Sequence, residues 1–529
     1  MSVAESEVDV LIVGGGPVGL TARALLERWG VRTLLVEKHR ALSPFPRSRL
    51  VNVRTMEIFR QLGLAEAVTA AAFAPEFGRV RFRDTLRSGD FASAAMIGLN
   101  APIPDSPVLG VVSSQDRLEP VLLGAADAPV AFGVELIDLA AEPAGVWTEL
   151  VDHRRGTRSR VRAHYVLAAD GANSTVRQRL GIPAAGPGAI GDSTTVVFDA
   201  DLNEWRAEQP AGVYMTTRGS FTPLYPEGGW AWIGTVAEEH APADWHAIVA
   251  AAIGPGRPVE VDVLRVQHWT VNAFVAERFH DGRVLLAGDA AHAVPPAGGL
   301  GMNAGIGDVH NLCWKLAGVL SGWADASLLE TYAVERLPVA HRTLDQAVAN
   351  SRLMRRTQQL RQEVSPPAAT TSPEMELPWS EQYFAQLGLV LGVVYRSAAV
   401  LAHGESDPPE PGTDYRPTPE PGHRMPHLWL SANRSTLDAV GEHFTVFTAD
   451  PALWRRQRVG FCPLRVEALT GEQAELFRLD REGALLVRPD DHIAAVWTER
   501  PSRPDALGDA LAAIAGTAEA EPSRRSGSR

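Results

Sequence analysis

Apolar positions come first as a block and then as a stripe. The block Val8–Val13 contains Asp9 as its one polar residue and runs into Gly14-Gly-Gly16-Pro17-Val-Gly19. An Ala/Leu-rich stretch, Leu20 to Trp29, follows with helical periodicity; Gly30 stops it, and a second apolar block, Thr33 to Val36, ends in Glu37. Strand, glycine turn, helix and strand within about thirty residues predict a βαβ unit, hence a parallel sheet with a right-handed crossover. A further helix is predicted over Thr55 to Ala70, after the loop holding Ser43, Pro44 and Pro46. Between about 190 and 275 the texture changes to short β-prone runs, TTVVFDADL, FTPLYP and WAWIGTV, separated by Gly and Pro. That pattern predicts an inserted antiparallel sheet. Helical texture returns after Gly301 and continues to about Gln362. The Pro/Thr-rich stretch Val364 to Pro378 reads as a loop and the Pro-rich stretch Asp407 to Pro426 as a linker. FTVFT and ALLVRP beyond it predict a small α/β domain, and the tail from Thr517 reads as disordered.

A length of 529 residues calls for two or three domains, and 45% apolar with 21% charged residues describes a globular chain. A formal charge of -13 argues against nucleic acid as a partner, because no basic excess is available to neutralise phosphates, although a local basic pocket stays open. The start MSVAESEVDV lacks a cationic region, so no signal peptide is expected, and the apolar run Leu387 to Tyr395 is too short to span a bilayer. No membrane association and a cytoplasmic location are therefore expected. The two cysteines, Cys313 and Cys462, make neither a disulfide framework nor a Cys-rich metal site, so no metal is assigned. Lys38 and Lys315 are the only lysines, which argues against a Schiff-base mechanism.

Candidate chemistry begins at Gly14-x-Gly16-x-x-Gly19, with Pro17 opening the helix and Glu37 ending the next strand. The first glycine permits the tight turn, the second lets backbone approach a pyrophosphate, and the third lets helix and strand pack closely. The helix N-terminus offers N–H groups and a positive dipole end to phosphates, and Glu37 is placed to accept hydrogen bonds from a ribose diol. The segment Gly186-Pro-Gly-Ala-Ile-Gly191 matches the same spacing but follows no strand and reads as a loop. Two further segments end strands in carboxylates. One is YVLAAD, ending in Asp170-Gly171, and the other is GRVLLAGDAAH, which carries Gly288, Asp289 and His292. After the second come Pro295-Pro296 and Gly298-Gly299-Leu-Gly301-Met302-Asn303, a glycine-rich turn opening a helix. Such a turn can present N–H groups to an anionic ring edge.

Together, GxGxxG, the Asp-Gly strand and GDAAHxxPPxxGxGMNxGIxDxxNLxWKL closely resemble the group A FAD-dependent aromatic monooxygenases of the para-hydroxybenzoate and phenol hydroxylase type. Within these, the aromatic polyketide hydroxylases are the nearest likeness, especially through PRSRLVNVRTMEIFRQLGL. The resemblance covers about residues 8 to 345, with a weaker C-terminal match. It implies an α/β fold: a Rossmann-type FAD-binding domain, an inserted antiparallel-sheet substrate domain and a C-terminal thioredoxin-like domain. The corresponding boundaries are 1–185 and 276–400 for the FAD-binding parts, 186–275 for the sheet, 401–516 for the C-terminal domain and 517–529 for the tail. It also implies that Gly14, Gly16, Pro17, Gly19 and Glu37 hold the ADP half of FAD and that Arg47 contacts its pyrophosphate. Gln115 and Asp289 would serve the ribityl chain, and Asp170 would have a dual role toward FAD and NAD(P)H. Gly288 would shape the turn before Asp289, while Pro296, Gly301, Met302 and Asn303 would face the flavin.

The reaction implied is reduction of the flavin by NAD(P)H, with NADPH favoured. O2 then adds to give a C4a-hydroperoxide, and one oxygen passes to an aromatic, phenolic or polycyclic substrate. The cofactor carries the hard chemistry, so no catalytic triad is required and none is assigned. His292 reads as turn structure and Asp308 and Trp314 as helix and core residues. Tyr214, Phe221, Tyr225, Trp230 and Trp232 are the substrate-cover candidates, although an alternating aromatic strand also suits a core. The C-terminal segment lacks Cys-x-x-Cys, since Cys462 stands alone in FCPL, so it is expected to be structural or an interaction surface. Baeyer–Villiger insertion or epoxidation on the same scaffold, and a non-catalytic flavoprotein sheltering an unstable metabolite, remain alternatives. Monomer and homodimer are both open.

Overall fold

The computed structural model describes residues 5–202, 208–235, 244–364, 386–401, 407–409, 415–457, 459–460 and 462–517. The predicted loop after Val364, part of the Pro-rich linker and the tail beyond Thr517 lie outside these residues. The chain divides into two compact units, one of Met1–His310, Arg336–Val393 and Pro408–Arg416, the other of Asn311–Glu335, Val394–Asp407 and Pro417–Arg529.

The first unit contains two eight-stranded sheets. In one, Glu5–Val13 lies between Thr157–Ala168 and Thr33–Glu37, parallel to both, and Val284–Leu286 extends it in parallel beyond Thr157–Ala168. Val10, Leu11 and Ile12 are fully buried, as the central strand of a parallel sheet covered on both faces must be. The first helix is Pro17–Arg28, starting three residues earlier than its apolar stripe suggests. Proline at the first turn fixes φ and lacks only an N–H that has no helical partner there. The single helix predicted over Thr55 to Ala70 is two, Val53–Gln61 and Ala65–Ala70. Gly63, at φ +75°, makes the left-handed stop between them.

The second sheet runs in the order His292–Ala293, Asp262–Ala276, Ala184–Asp199, Gly228–Gly234, Gly219–Tyr225, Val213–Thr216, Arg79–Arg83, Asp90–Ala95. The segment Gly186–Gly191, read from sequence as a loop, is instead a bulged part of Ala184–Asp199 paired antiparallel with Asp262–Ala276. Register shifts at Ala185/Gly188 and Ala189/Gly191 coincide with glycines, which admit the extra residues that a bulge inserts. No helix follows it directly, so the inference that it is not a second phosphate-binding turn stands on its strand geometry.

One face of this sheet is covered by the helix Trp245–Ile253. Tyr214, Phe221, Trp230 and Trp232 pack there against Val249, Ala252 and Ile253, all at most 2% exposed. Period-two alternation puts these aromatic residues on one side, and that side is the core.

The second unit is built on a four-stranded mixed sheet in the order Leu464–Ala468, Phe444–Thr448, Ala484–Val487, Ile493–Trp497. Its core includes Met425, Phe447, Phe477, Leu485 and Ile493. Beside it lies a fully buried charge cluster. Arg488 donates to both oxygens of Glu335 (2.5 and 2.9 Å) and to both oxygens of Asp490 (2.9 and 2.5 Å). Lys315, Asn311 and Ser397 complete the shell of Glu335 at 2.7, 2.6 and 2.6 Å. Burial opposes ionisation of Glu335, but Arg488 and Lys315 outweigh it and hold the carboxyl well below its usual range.

Candidate functional site

The glycine turn is built by close approach. A Cβ on Gly14, whose φ is +108°, would lie 2.3 Å from the Ala169 carbonyl oxygen, and one on Gly19 would lie 2.0 Å from the Gly14 oxygen. A Cβ on Gly16 would meet nothing within 4 Å, so the backbone there borders open space at the N-terminus of Pro17–Arg28. Gly16 caps that helix without any side-chain acceptor for its first N–H groups. Glu37 accepts a hydrogen bond from Gly15 N (2.7 Å) and, through its other oxygen, from His39 N (2.8 Å). His39 Nδ1 also pairs with that second oxygen at 2.5 Å, so the open acceptor position is on the oxygen that faces Gly15.

Asp170 follows the strand parallel to Glu5–Val13, and its Cα lies beneath Gly14. Its Oδ2 accepts from Val176 N at 3.2 Å, whereas Oδ1 is buried with no hydrogen-bond partner among the described residues. Burial raises the Asp170 pKa, against the hydrogen bonds from Ser174 and Val176. Arg177 ties this segment to the next one by donating to the Ala172 and Ala290 carbonyls at 2.7 and 2.8 Å.

Asp289 presents its side chain to solvent yet is surrounded by protein, which is the geometry of a carboxylate at the floor of a cleft. Burial raises its pKa, while His292 and Arg47 pull the other way. Arg47 is exposed and exerts the same ionising influence on Glu119, so Arg47, Asp289 and Glu119 border one space. Gln115 is half-buried and held from two sides, with Nε2 donating to Glu119 at 2.7 Å and Oε1 accepting from Ser48 N at 3.3 Å.

The turn carrying Asp289 is anchored from behind. Asp308, fully buried, accepts from Gly288 N at 3.0 Å, from Arg336 Nε at 2.8 Å, and pairs with His292 Nε2 at 2.6 Å. His292 is itself fully buried, which fits the turn role read from sequence. Pro296 is exposed, and Gly301 and Met302 are half-buried at the start of the helix Gly301–Leu320. The Asn303 side chain is engaged within the protein. Its side chain donates to the Leu50 and Gly299 carbonyls at 2.9 and 2.7 Å and accepts from Asn52 N at 3.0 Å. Only its backbone is left for a ligand.

Of the nucleotide-side candidates, Gly14 lies against Asp170, Glu37 is bonded to the glycine turn, Gly301 lies beside Asp289, and Arg47 acts on both Asp289 and Glu119, the partner of Gln115. The substrate candidates separate. Tyr214, Phe221, Trp230 and Trp232 are core residues under the helix Trp245–Ile253. Tyr225 is half-buried and donates its hydroxyl to Asp116 at 2.5 Å. On the opposite face from the aromatic set, the buried Phe82 and Phe91 form a second hydrophobic cluster and lie with Met215, Met354 and Arg361 around a small gap. Sequence reasoning missed Ser48, Glu119, Arg177 and Arg336, which position the candidates; Ser48, Arg177 and Arg336 do so across 67, 113 and 28 residues, and Glu119 supports Gln115 one helical turn away.

Among the described residues no cluster of His, Cys, Asp or Glu is arranged to hold a metal ion, and no helix is long and apolar enough to cross a membrane. The residues that are present fit a dinucleotide with a polyol chain. The close packing of Gly14 and Gly19 shapes the turn, Gly16 borders open space that a Cβ there would enter, and Asp170 Oδ1 and the open Asp289 carboxylate are acceptors awaiting donors.

Comparison with known proteins agrees with this geometry. Residues 7–347 match the family model described as an FAD binding domain, and residues 418–518 match that of the aromatic-ring hydroxylase C-terminal domain. The chain is 34% identical to a 4-methyl-5-nitrocatechol 5-monooxygenase from Burkholderia sp, over 96% of this chain and 97% of that protein. It is also 34% identical to aklavinone 12-hydroxylase DnrF from Streptomyces peucetius, over 85% and 93%. Among solved structures, the flavin-dependent monooxygenase PieE in complex with FAD and substrate superposes with a TM-score of 0.87, at 31% identity over 97% of this chain and 99% of that one.

Proposed function

This chain belongs to the FAD-dependent aromatic monooxygenases, and we propose that it hydroxylates a phenolic or polycyclic, polyketide-like aromatic substrate with O2 and NAD(P)H, NADPH being favoured. The observation that carries this reading is the Asp289 carboxylate, open to solvent at the floor of a cleft bordered by the glycine turn and the glycine-rich loop. FAD, when bound, supplies electron transfer from the nicotinamide and activation of O2.

The protein's part is binding and orientation. The N-terminus of Pro17–Arg28 and Arg47 take the pyrophosphate, and the remaining lone pair of Glu37 takes a ribose hydroxyl. Asp289 and Gln115 hold the ribityl hydroxyls, while Pro296 and the backbone from Gly301 to Asn303 border the ring. Asp170 offers Oδ1 as an acceptor toward the adenine-side ribose or the nicotinamide nucleotide. Asn303 acts as a positioning residue, because its side chain fixes Leu50 and Gly299 relative to each other. We place the aromatic body of the substrate on the side of the second sheet opposite its aromatic core, beside the half-buried Met215. Molecular oxygen and one small aromatic molecule complete the reaction; a monomer or a homodimer serves it equally.

The test is to purify the protein, record its visible spectrum before and after addition of FAD, and follow NADPH and NADH oxidation with simple and polycyclic phenols. Flavin binding, oxidation stimulated by a phenol and a product heavier by one oxygen are expected. Absence of flavin after reconstitution overturns the reading. Flavin without stimulated turnover, even with polycyclic phenols, favours a metabolite-binding flavoprotein, and a ring-expanded product favours Baeyer–Villiger insertion.

A further inference from the structure

Arg49 stands between the two segments that frame the proposed flavin site. On one side Ser48 is joined to Gln115 by N–H to Oε1 and by the return hydrogen bond from Gln115 N. On the other, Leu50 is held by Asn303. The backbone oxygen of Arg49 accepts from Ser113 N, which keeps this strand edge in place. The guanidinium is buried, and Nε, Nη1 and Nη2 have no hydrogen-bond partner among the described residues. Its surroundings are the Phe73 ring, whose centroid is 5.8 Å away, and the Asp116–Tyr225 pair. Asp116 is already engaged, accepting from the Tyr225 hydroxyl at 2.5 Å and from Ser114 Oγ. Arg47, two residues earlier, is exposed and acts on Asp289 and Glu119. The two arginines therefore have different surroundings, one polar and one aromatic.

A guanidinium carries five donors in a rigid fork matched to a carboxylate, and leaving them all unmade inside a protein is unfavourable. Burial lowers the Arg49 pKa to about 10, so the group is still a cation at neutral pH. Orphaned buried donors of this kind mark a site where a ligand completes the set.

We propose, on the reading that this is an aromatic monooxygenase site, that Arg49 determines substrate specificity by receiving an anionic oxygen of the aromatic substrate, a carboxylate or an ionised phenol. Phe73 flanks the ring that carries this anion. The preferred substrate class is thereby narrowed from neutral aromatics to aromatic acids and acidic phenols.

The test uses the FAD-loaded enzyme, with 3-hydroxy-2-naphthoate and its methyl ester as probes followed by perturbation of flavin absorbance. The wild type is expected to bind the acid about 10- to 100-fold more tightly than the ester, the range for a charge-assisted hydrogen bond. Arg49→Met should bring that ratio to about one, leaving ester affinity and FAD affinity unchanged, and Arg49→Lys should keep part of the preference. The thermal midpoint of the ligand-free Arg49→Met holoenzyme should equal or exceed that of the wild type, because an unpaired buried charge has been removed. A structural arginine would give the opposite: a lower midpoint with the acid preference retained. Weaker FAD binding with an unchanged acid-to-ester ratio would assign Arg49 to the cofactor and overturn the proposal. So would a wild type that does not prefer the acid. If the wild type takes up no FAD, the monooxygenase reading itself fails, a result distinct from all of these.

Discussion

Two buried arginines, one in each unit, show two uses of the same side chain. Arg488 in the second unit is enclosed by Glu335 and Asp490, four hydrogen bonds satisfying its fork. The guanidinium of Arg49 in the first unit is also buried but has none among the described residues. The first is finished as folded, and the second is unfinished until something binds. Burial alone therefore does not tell a structural charge from a functional one; the count of satisfied donors does. The carboxylates divide in the same way. Glu335 and Asp490 are held low by the cations around them, whereas burial pushes Asp170 and Asp289 up and, for Asp289, outweighs the opposing pull of His292 and Arg47.

This contrast can be broken by mutation. The largest effect is expected for Arg488→Met, which takes the guanidinium from buried Asp490 and leaves buried Glu335 with Lys315 alone. It should destabilise the protein by about 3–5 kcal/mol in urea unfolding, while the molecules that remain folded bind FAD normally. Asp289→Ala should do the reverse, weakening FAD by about 10- to 100-fold in flavin-fluorescence titration without loss of stability, since a charge-assisted hydrogen bond is removed only from the complex.

A pH series sharpens the comparison. The depressed pKa values of Glu335 and Asp490 mean that their contribution is present above the ordinary carboxylate range and is lost as pH falls through the lower, folded values. The raised pKa of Asp289 has the opposite sign: stability is highest with this group protonated and falls as pH rises through its folded value. In FAD-free protein, Asp289→Asn should therefore melt above the wild type at pH 7, and the two should converge at acid pH. The smallest effect is expected for Tyr225→Phe, where Asp116 keeps its hydrogen bond from Ser114. A loss of about 1 kcal/mol in thermal or urea unfolding would match one hydrogen bond.

The parts of the fold legible in sequence are those written locally. Val8–Val13, the glycine turn, the helix and Glu37 make one contiguous unit, and each residue type is dictated by its neighbours. The GDAAH turn and the following helix are legible for the same reason. Pairings across long separations were not legible. Nothing in RVRFR or DFASAA announces that Arg79–Arg83 joins Val213–Thr216 in parallel and extends the inserted sheet. Alternation in Tyr214, Phe221, Trp230 and Trp232 showed that these residues share a face, but a period of two cannot say which face meets a helix and which meets a ligand. The missing partners of Arg49 could not be found in the sequence either, since a lack of neighbours has no motif. Gly63, by contrast, was a helix stop present in QLGL, and the helical stripe on either side concealed it.

Asp308 sets a limit on how the protein can be divided. It joins the Gly288 backbone and His292 to Arg336, which lies 28 residues further along the chain. A fragment ending before Arg336 would contain the glycine turn, Glu37, Asp170 and Asp289, yet would leave the buried Asp308 carboxylate without its arginine. The turn that presents Asp289 would lose its support at the same moment. The smallest piece able to hold the cofactor therefore reaches into the helix Glu330–Val364, and a fragment designed on motif boundaries alone would be too short.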